Sequence, residues 1–211
     1  MAESATLVSG HEFDTHDALG EAEHRPHTQT GISNTKLAMW VFLGSDCLLF
    51  GALISTFLLY KGRATTFPNH HVFDIPFTSV SSFVLLMSSL TMALAVSSIS
   101  RGDHRNTRVW LMTTALLGSV FIAGQVYEFT SFYREGMGFT TNTFSSSFYT
   151  LTGFHGVHVT VGIIMLVSLF ILSLRGAIPQ HRAETVEIVG LYWHFVDIVW
   201  IVIFAVVYLI K

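Results

Sequence analysis

Leu191-Tyr-Trp-His-Phe-Val-Asp-Ile-Val-Trp-Ile-Val-Ile-Phe-Ala-Val-Val-Tyr-Leu209 is an apolar run in which only His194 and Asp197 can carry charge near neutral pH. Its length matches the roughly 20 residues that cross about 30 Å of hydrocarbon as a helix. Four more runs of this kind precede it, and the spans are placed at about 37–60, 75–99, 109–133, 147–174 and 188–210. Helix is required rather than strand, because an isolated span in lipid must satisfy its own backbone hydrogen bonds, and these runs are too long for barrel strands. Asp74-Ile75-Pro76 reads as a helix start, with an acid at the positive end of the dipole and proline in the first turn.

The whole chain agrees with that reading. Its 211 residues are 51% hydrophobic, 13% aromatic and 12% charged, against roughly 25% charged in soluble domains. A net charge of -3 leaves no basic patch for phosphate, which excludes a nucleic-acid partner. The single cysteine, Cys47, supports neither an intrachain disulfide nor a cysteine-based zinc site. Residues 1–35 form an acidic, histidine-containing stretch (His11, His16, His24, His27) with too little apolar content to fold, so a flexible tail is expected there. It lacks the pattern of a secretory signal. Residues 36–211 are expected to form one domain, an all-α integral membrane protein whose short polar links join five helices up and down.

Counting Lys and Arg sets the orientation. Arg25, Lys36, Arg101, Arg105, Arg108, Arg175 and Arg182 lie on one side, and Lys61, Arg63, Arg134 and Lys211 on the other. The N-terminus is therefore expected in the cytoplasm and the C-terminus outside.

Ionisable groups inside a span are costly, so each needs a partner, a water path or a role. Asp46 sits near mid-depth of the first helix with no local counter-charge, and is expected to hold its proton much of the time. Glu128 lies in the third helix, His155 and His158 share a face of the fourth, and His194 and Asp197 share a face of the fifth. These residues leave several readings open. They can form a polar packing network across helices, a di-metal site, or a haem b site using His155, His158 and His194. Asp46 and Glu128 could instead be relay carboxylates of a small transporter, although no broken helix or repeat accompanies them. Gly44, Gly51, Gly118, Gly124, Gly153, Gly156 and Ser81, Ser82, Ser88, Ser89 permit close helix approach. Trp110, Phe132, Tyr133, Tyr149 and Tyr208 are expected to be membrane-interface anchors. No phosphate loop, catalytic triad or dinucleotide fingerprint is present.

The run at 191–209, together with Thr152-Gly-Phe-His-Gly-Val-His-Val-Thr160, Tyr127-Glu-Phe129, Ser88-Ser-Leu-Thr91 and Gly44-Ser-Asp-Cys-Leu-Leu-Phe50, resembles subunit III of haem-copper terminal oxidases. The resemblance covers about 36–210 in the family's order and leaves the tail outside. It implies a non-catalytic bundle in a bacterial plasma membrane, docked beside catalytic subunit I, with subunit II and a subunit IV as further partners. No redox cofactor or metal is implied in this chain; haem and copper would sit in subunits I and II. Asp46 falls where the family usually has Glu, near the proton uptake route of subunit I and a phospholipid-filled cleft. The implied role is to sustain proton uptake, protect the oxidase during turnover and help oxygen reach it. Glu128, His155, His158, His194 and Asp197 fall on positions that pack the larger helix group.

Long members have seven helices; this chain has five and begins where the third would, so another subunit must supply the second wall. The Gly138-Phe-Thr-Thr segment is similar to cytochrome c oxidases, the donor adopted here. Ser45-Asp-Cys47 is similar to quinol oxidases, the alternative.

Overall fold

The computed structural model describes residues 33–62, 75–176 and 183–209. Among them are five helices long and apolar enough to cross a membrane: α1 (Asn34–Lys61), α2 (Ile75–Ser100), α3 (His104–Arg134), α4 (Thr143–Leu174) and α5 (Ala183–Phe204), the last continued by a π-helical turn, Ala205–Leu209. No strand occurs among the described residues. The expected tail up to residue 32, Asp74 and the links at 63–74 and 177–182 lie outside them.

Helices α1, α3 and α4 begin three to five residues before their apolar runs, and the reason is local. Asp103 Oδ1 accepts the Asn106 amide at 3.1 Å and caps α3, and Asn142 Oδ1 accepts the Ser145 amide at 2.6 Å and caps α4. Ser33 Oγ does the same for the Lys36 amide at 3.2 Å, which carries α1 back to Asn34. Caps satisfy the orphan amides of a first turn that already lies in the polar zone. After α2 the chain reverses through Gly102, whose φ of 76° a side chain would oppose.

Helices α2, α3, α4 and α5 close into a ring in which each packs on the next and α5 returns to α2. Helix α1 stands outside this ring, packed on α4 and α5 rather than chiefly on its sequence neighbour α2. The up-and-down expectation thus holds for the last four helices, while α1 is displaced to their edge. Aromatic contacts hold it there: Phe50 against His158 at 5.0 Å, Phe57 against Phe144 at 5.5 Å and Phe42 over Tyr192 at 6.3 Å. The start of α1 meets the start of α5, where Ser33 Oγ donates to Glu184 and Lys36 Nζ pairs with Glu187 Oε1 at 2.6 Å. At the other end Lys61 Nζ donates to the Val206 carbonyl at 3.3 Å. The two helices therefore run parallel, as odd-numbered spans must.

Both members of the Lys36–Glu187 pair are partly exposed, and such pairs contribute little. Lys36→Ala is expected to change the unfolding free energy of the purified protein by less than about 1 kcal/mol. A thermal melt at two salt concentrations checks this, since any contribution should shrink as salt rises.

Polar ties between α2 and α5 fix the ring. Trp193 Nε1 donates to Ser88 Oγ at 3.0 Å and Trp200 Nε1 to Ser82 Oγ at 2.9 Å. Thr91 and Thr114 hydroxyls meet at 2.8 Å between α2 and α3. With no water in hydrocarbon, an indole N–H must find its acceptor within the protein. Of the expected interface anchors, Phe132 is instead a core residue at 1% exposure, packed edge-on to Phe148. Tyr149 donates to the Met137 carbonyl at 2.9 Å.

Candidate functional site at the α1 and α4 edge

Asp46 is buried on the face that α1 turns to the ring. Its Oδ2 lies 3.6 Å from Nε2 of His158 on α4. Sequence reasoning found no counter-group near Asp46 along α1; the partner comes from a distant helix. His158 Nδ1 lies 2.8 Å from the Phe154 carbonyl. A carbonyl only accepts, so Nδ1 carries the hydrogen, and Nε2 faces Asp46 either bare or, in the cation, protonated. One proton on either partner leaves the pair neutral overall. Tyr192 OH donates to the His158 carbonyl at 3.0 Å and ties α5 to the same turn.

Beside the pair a groove of about 230 Å³ opens between α1, α4 and α5, lined by Met39, Phe42, Val161, Met165, Tyr192 and His158 among others. Its walls are apolar except for the imidazole and phenol edges. The groove thus offers apolar contacts beside the Asp46–His158 pair.

The other intramembrane residues do not join this pair in one network. Glu128 Oε1 accepts from Thr78 Oγ1 and from Tyr208 OH, each at 2.8 Å, and ties α2, α3 and the π-helical turn. Tyr208, expected as an interface anchor, is thus a half-buried hydrogen-bond donor to a carboxylate. His194 Nδ1 lies 2.6 Å from Ser89 Oγ, and Asp197, buried on the same helix, neighbours that hydroxyl. His155 has no exposed surface and stacks on Trp200 at 4.9 Å, with Phe50 and Phe121 meeting it edge-on. Its two ring nitrogens make no hydrogen bond among the described residues. His155 and His158, read together from their spacing, share Phe50 but otherwise diverge, His158 toward Asp46 and His155 toward Phe121 and Trp200.

Sequence reasoning took Ser82, Ser88 and Ser89 for spacers. They are also acceptors or partners for α5, and the signal was available in the ring nitrogens of Trp193, His194 and Trp200. Among the described residues no three His, Cys, Asp or Glu side chains converge as a metal would need. His155, His158 and His194 point to Trp200, Asp46 and Ser89 respectively.

Known proteins resemble this chain over nearly its whole length. The family model for cytochrome c oxidase subunit III matches residues 13–211, so the match also reaches into the segment that the resemblance had left out. Cytochrome c oxidase subunit 3 of Bacillus sp. (strain PS3) is 36% identical over 196 residues, 92% of this chain and 94% of that protein. Quinol oxidase subunit 3 of Bacillus subtilis (strain 168) is 38% identical over 185 residues, 86% of this chain and 89% of that one. A probable quinol oxidase subunit 3 of Staphylococcus saprophyticus is 38% identical over 181 residues, covering 83% and 88%. The chain belongs to the subunit III family of haem-copper oxidases, multi-pass membrane proteins that are non-catalytic members of an oxygen-reducing complex.

Proposed function

We propose that this subunit sustains proton uptake by the catalytic subunit through Asp46, with His158 as its proton partner, and that the adjoining groove holds a phospholipid chain. The observation that carries the reading is a buried carboxyl 3.6 Å from an imidazole, beside an apolar groove on the least covered helix of the bundle. At 3.6 Å the two groups make no hydrogen bond, and a small side-chain shift would bring the carboxyl and the imidazole close enough to pass a proton with little net movement of charge. In hydrocarbon this is the least costly way to keep a proton carrier. Subunits I and II carry the haem and copper and dock on this chain. A further subunit, a subunit IV, packs against the bundle. The N-terminus faces the cytoplasm of a bacterial plasma membrane, supported by the Lys and Arg excess on that side.

The test is turnover-dependent inactivation of the purified complex. Asp46→Asn is expected to shorten the active lifetime several-fold and slow proton uptake, and Asp46→Glu to restore both. Equal lifetimes for wild type and Asp46→Asn would remove the proposal. The donor in this reading is cytochrome c, supported by the likeness to the Bacillus sp. (strain PS3) protein. The quinol alternative is favoured by the relatives of similar identity that carry that name. Oxygen uptake by the complex with reduced cytochrome c or with quinol distinguishes them.

A further inference from the structure

A second groove adjoins the first across Val157 and Val161 of α4 and lies between α3 and α4, with a volume of about 300 Å³ and Ile122, Gln125, Val126, Gly153, Gly156 and Thr160 among its lining. Two features set it apart from an ordinary lipid-facing surface. Gln125 lines the groove and is only 7% exposed, yet its Oε1, enclosed beside Gly156, makes no hydrogen bond among the described residues. The α4 wall is also kept small where the chain itself does not demand it. A Cβ on Gly153 would meet nothing within 4 Å, and one on Gly156 would meet only Gln125 Oε1, at an ordinary 3.5 Å. Glycine in a helix interior is destabilising relative to alanine, and here its absence of bulk leaves the groove open rather than tightening the fold.

Depth decides what kind of molecule completes this groove. Gly156 lies about 20 Å along α4 from Thr143, well inside a helix of 32 residues. Lipid headgroups stay at the membrane surfaces, and an acyl chain that reaches this depth has no N–H or O–H to offer. A transmembrane helix brings both close backbone approach over small residues and a polar side chain at mid-depth. On the basis of the oxidase reading above, we propose that the α3/α4 groove docks a transmembrane helix of a partner subunit, and that a side-chain hydroxyl, amide or indole N–H of that helix donates to Gln125 Oε1 as the Gln125 amide turns toward the groove.

The test uses the assembled complex in membranes, with a benzophenone amino acid in place of Val126, an exposed groove residue. Illumination is expected to give an adduct with another polypeptide of the complex. Adducts with lipid alone, or with a second copy of this chain, would overturn the proposal. Gln125→Leu supplies a second arm of opposite sign. If a partner donates to Gln125, retention of that partner on detergent challenge falls about three- to tenfold, with haem spectrum and helical content unchanged. If the groove only meets lipid, leucine removes an unpaired polar atom, and retention stays level or rises. A chain that co-purifies with no haem-copper subunit defeats the oxidase reading as well. A chain that co-purifies but crosslinks only to lipid defeats this inference alone.

Discussion

Gly162→Ala is expected to destabilise the bundle by about 1–3 kcal/mol, because the new methyl lands on an indole that has nowhere to go. A Cβ at Gly162 would lie 2.8 Å from Cε3 and Cζ3 of Trp193, and one at Gly118 would lie 2.5 Å from Cη2 on the far edge of the same ring. Trp193 is 1% exposed, and its Nε1 is held by Ser88 at 3.0 Å. Pushing the ring away from α4 therefore drives it into α3 and strains the tie to α2. The thermal midpoint of the purified complex, followed by circular dichroism and tryptophan emission, reads this loss. Gly51→Ala is the control: a methyl there meets nothing within 4 Å, and the midpoint should stay level or rise slightly. Gly118→Ala should behave like Gly162→Ala, and the double variant should cost more than the sum, since each single change is relieved only by moving the ring toward the other glycine. A midpoint for Gly162→Ala equal to that of Gly51→Ala would mean that Trp193 is not clamped.

Trp200→Ala carries the other large effect, a loss of about 3–5 kcal/mol. Trp200 is 2% exposed, stacks on His155, meets Phe121 edge-on at 4.8 Å and donates to Ser82 at 2.9 Å. Alanine would open a cavity at the joint of α2, α3, α4 and α5 and leave one face of the buried imidazole bare. Trp200→Phe keeps most of the ring area and loses the hydrogen bond, so a smaller cost of about 1 kcal/mol is expected. Denaturant unfolding of the same preparations separates the two. A Trp200→Ala loss no greater than that of Trp200→Phe would place the joint elsewhere.

The five spans were legible because each is a long apolar run, and lipid leaves the backbone no alternative to a helix. Their ends were less so: apolarity stops at the membrane surface, whereas the helix stops where its end groups are capped, at Asp103 and Asn142. Glycine spacing said nothing about which glycines matter. Gly118 and Gly162 seat an indole, while Gly44, Gly51 and Gly153 meet no atom within 4 Å. The position of α1 was also hidden, since links long enough to reach any neighbour do not choose one.

For the site, the sequence alone determined which groups must be accounted for: Asp46, Glu128, His155, His158, His194 and Asp197, each set in a hydrocarbon-crossing run. Only the tertiary structure decided their partners. Residues three apart on a helix differ by about 60° around its axis. On α4, which touches α1, α3 and α5, that angle sends His158 to Asp46 and His155 into the cage of Phe50, Phe121 and Trp200. Periodicity sorts side chains onto faces, but the neighbour each face meets is set by packing between helices far apart in the chain.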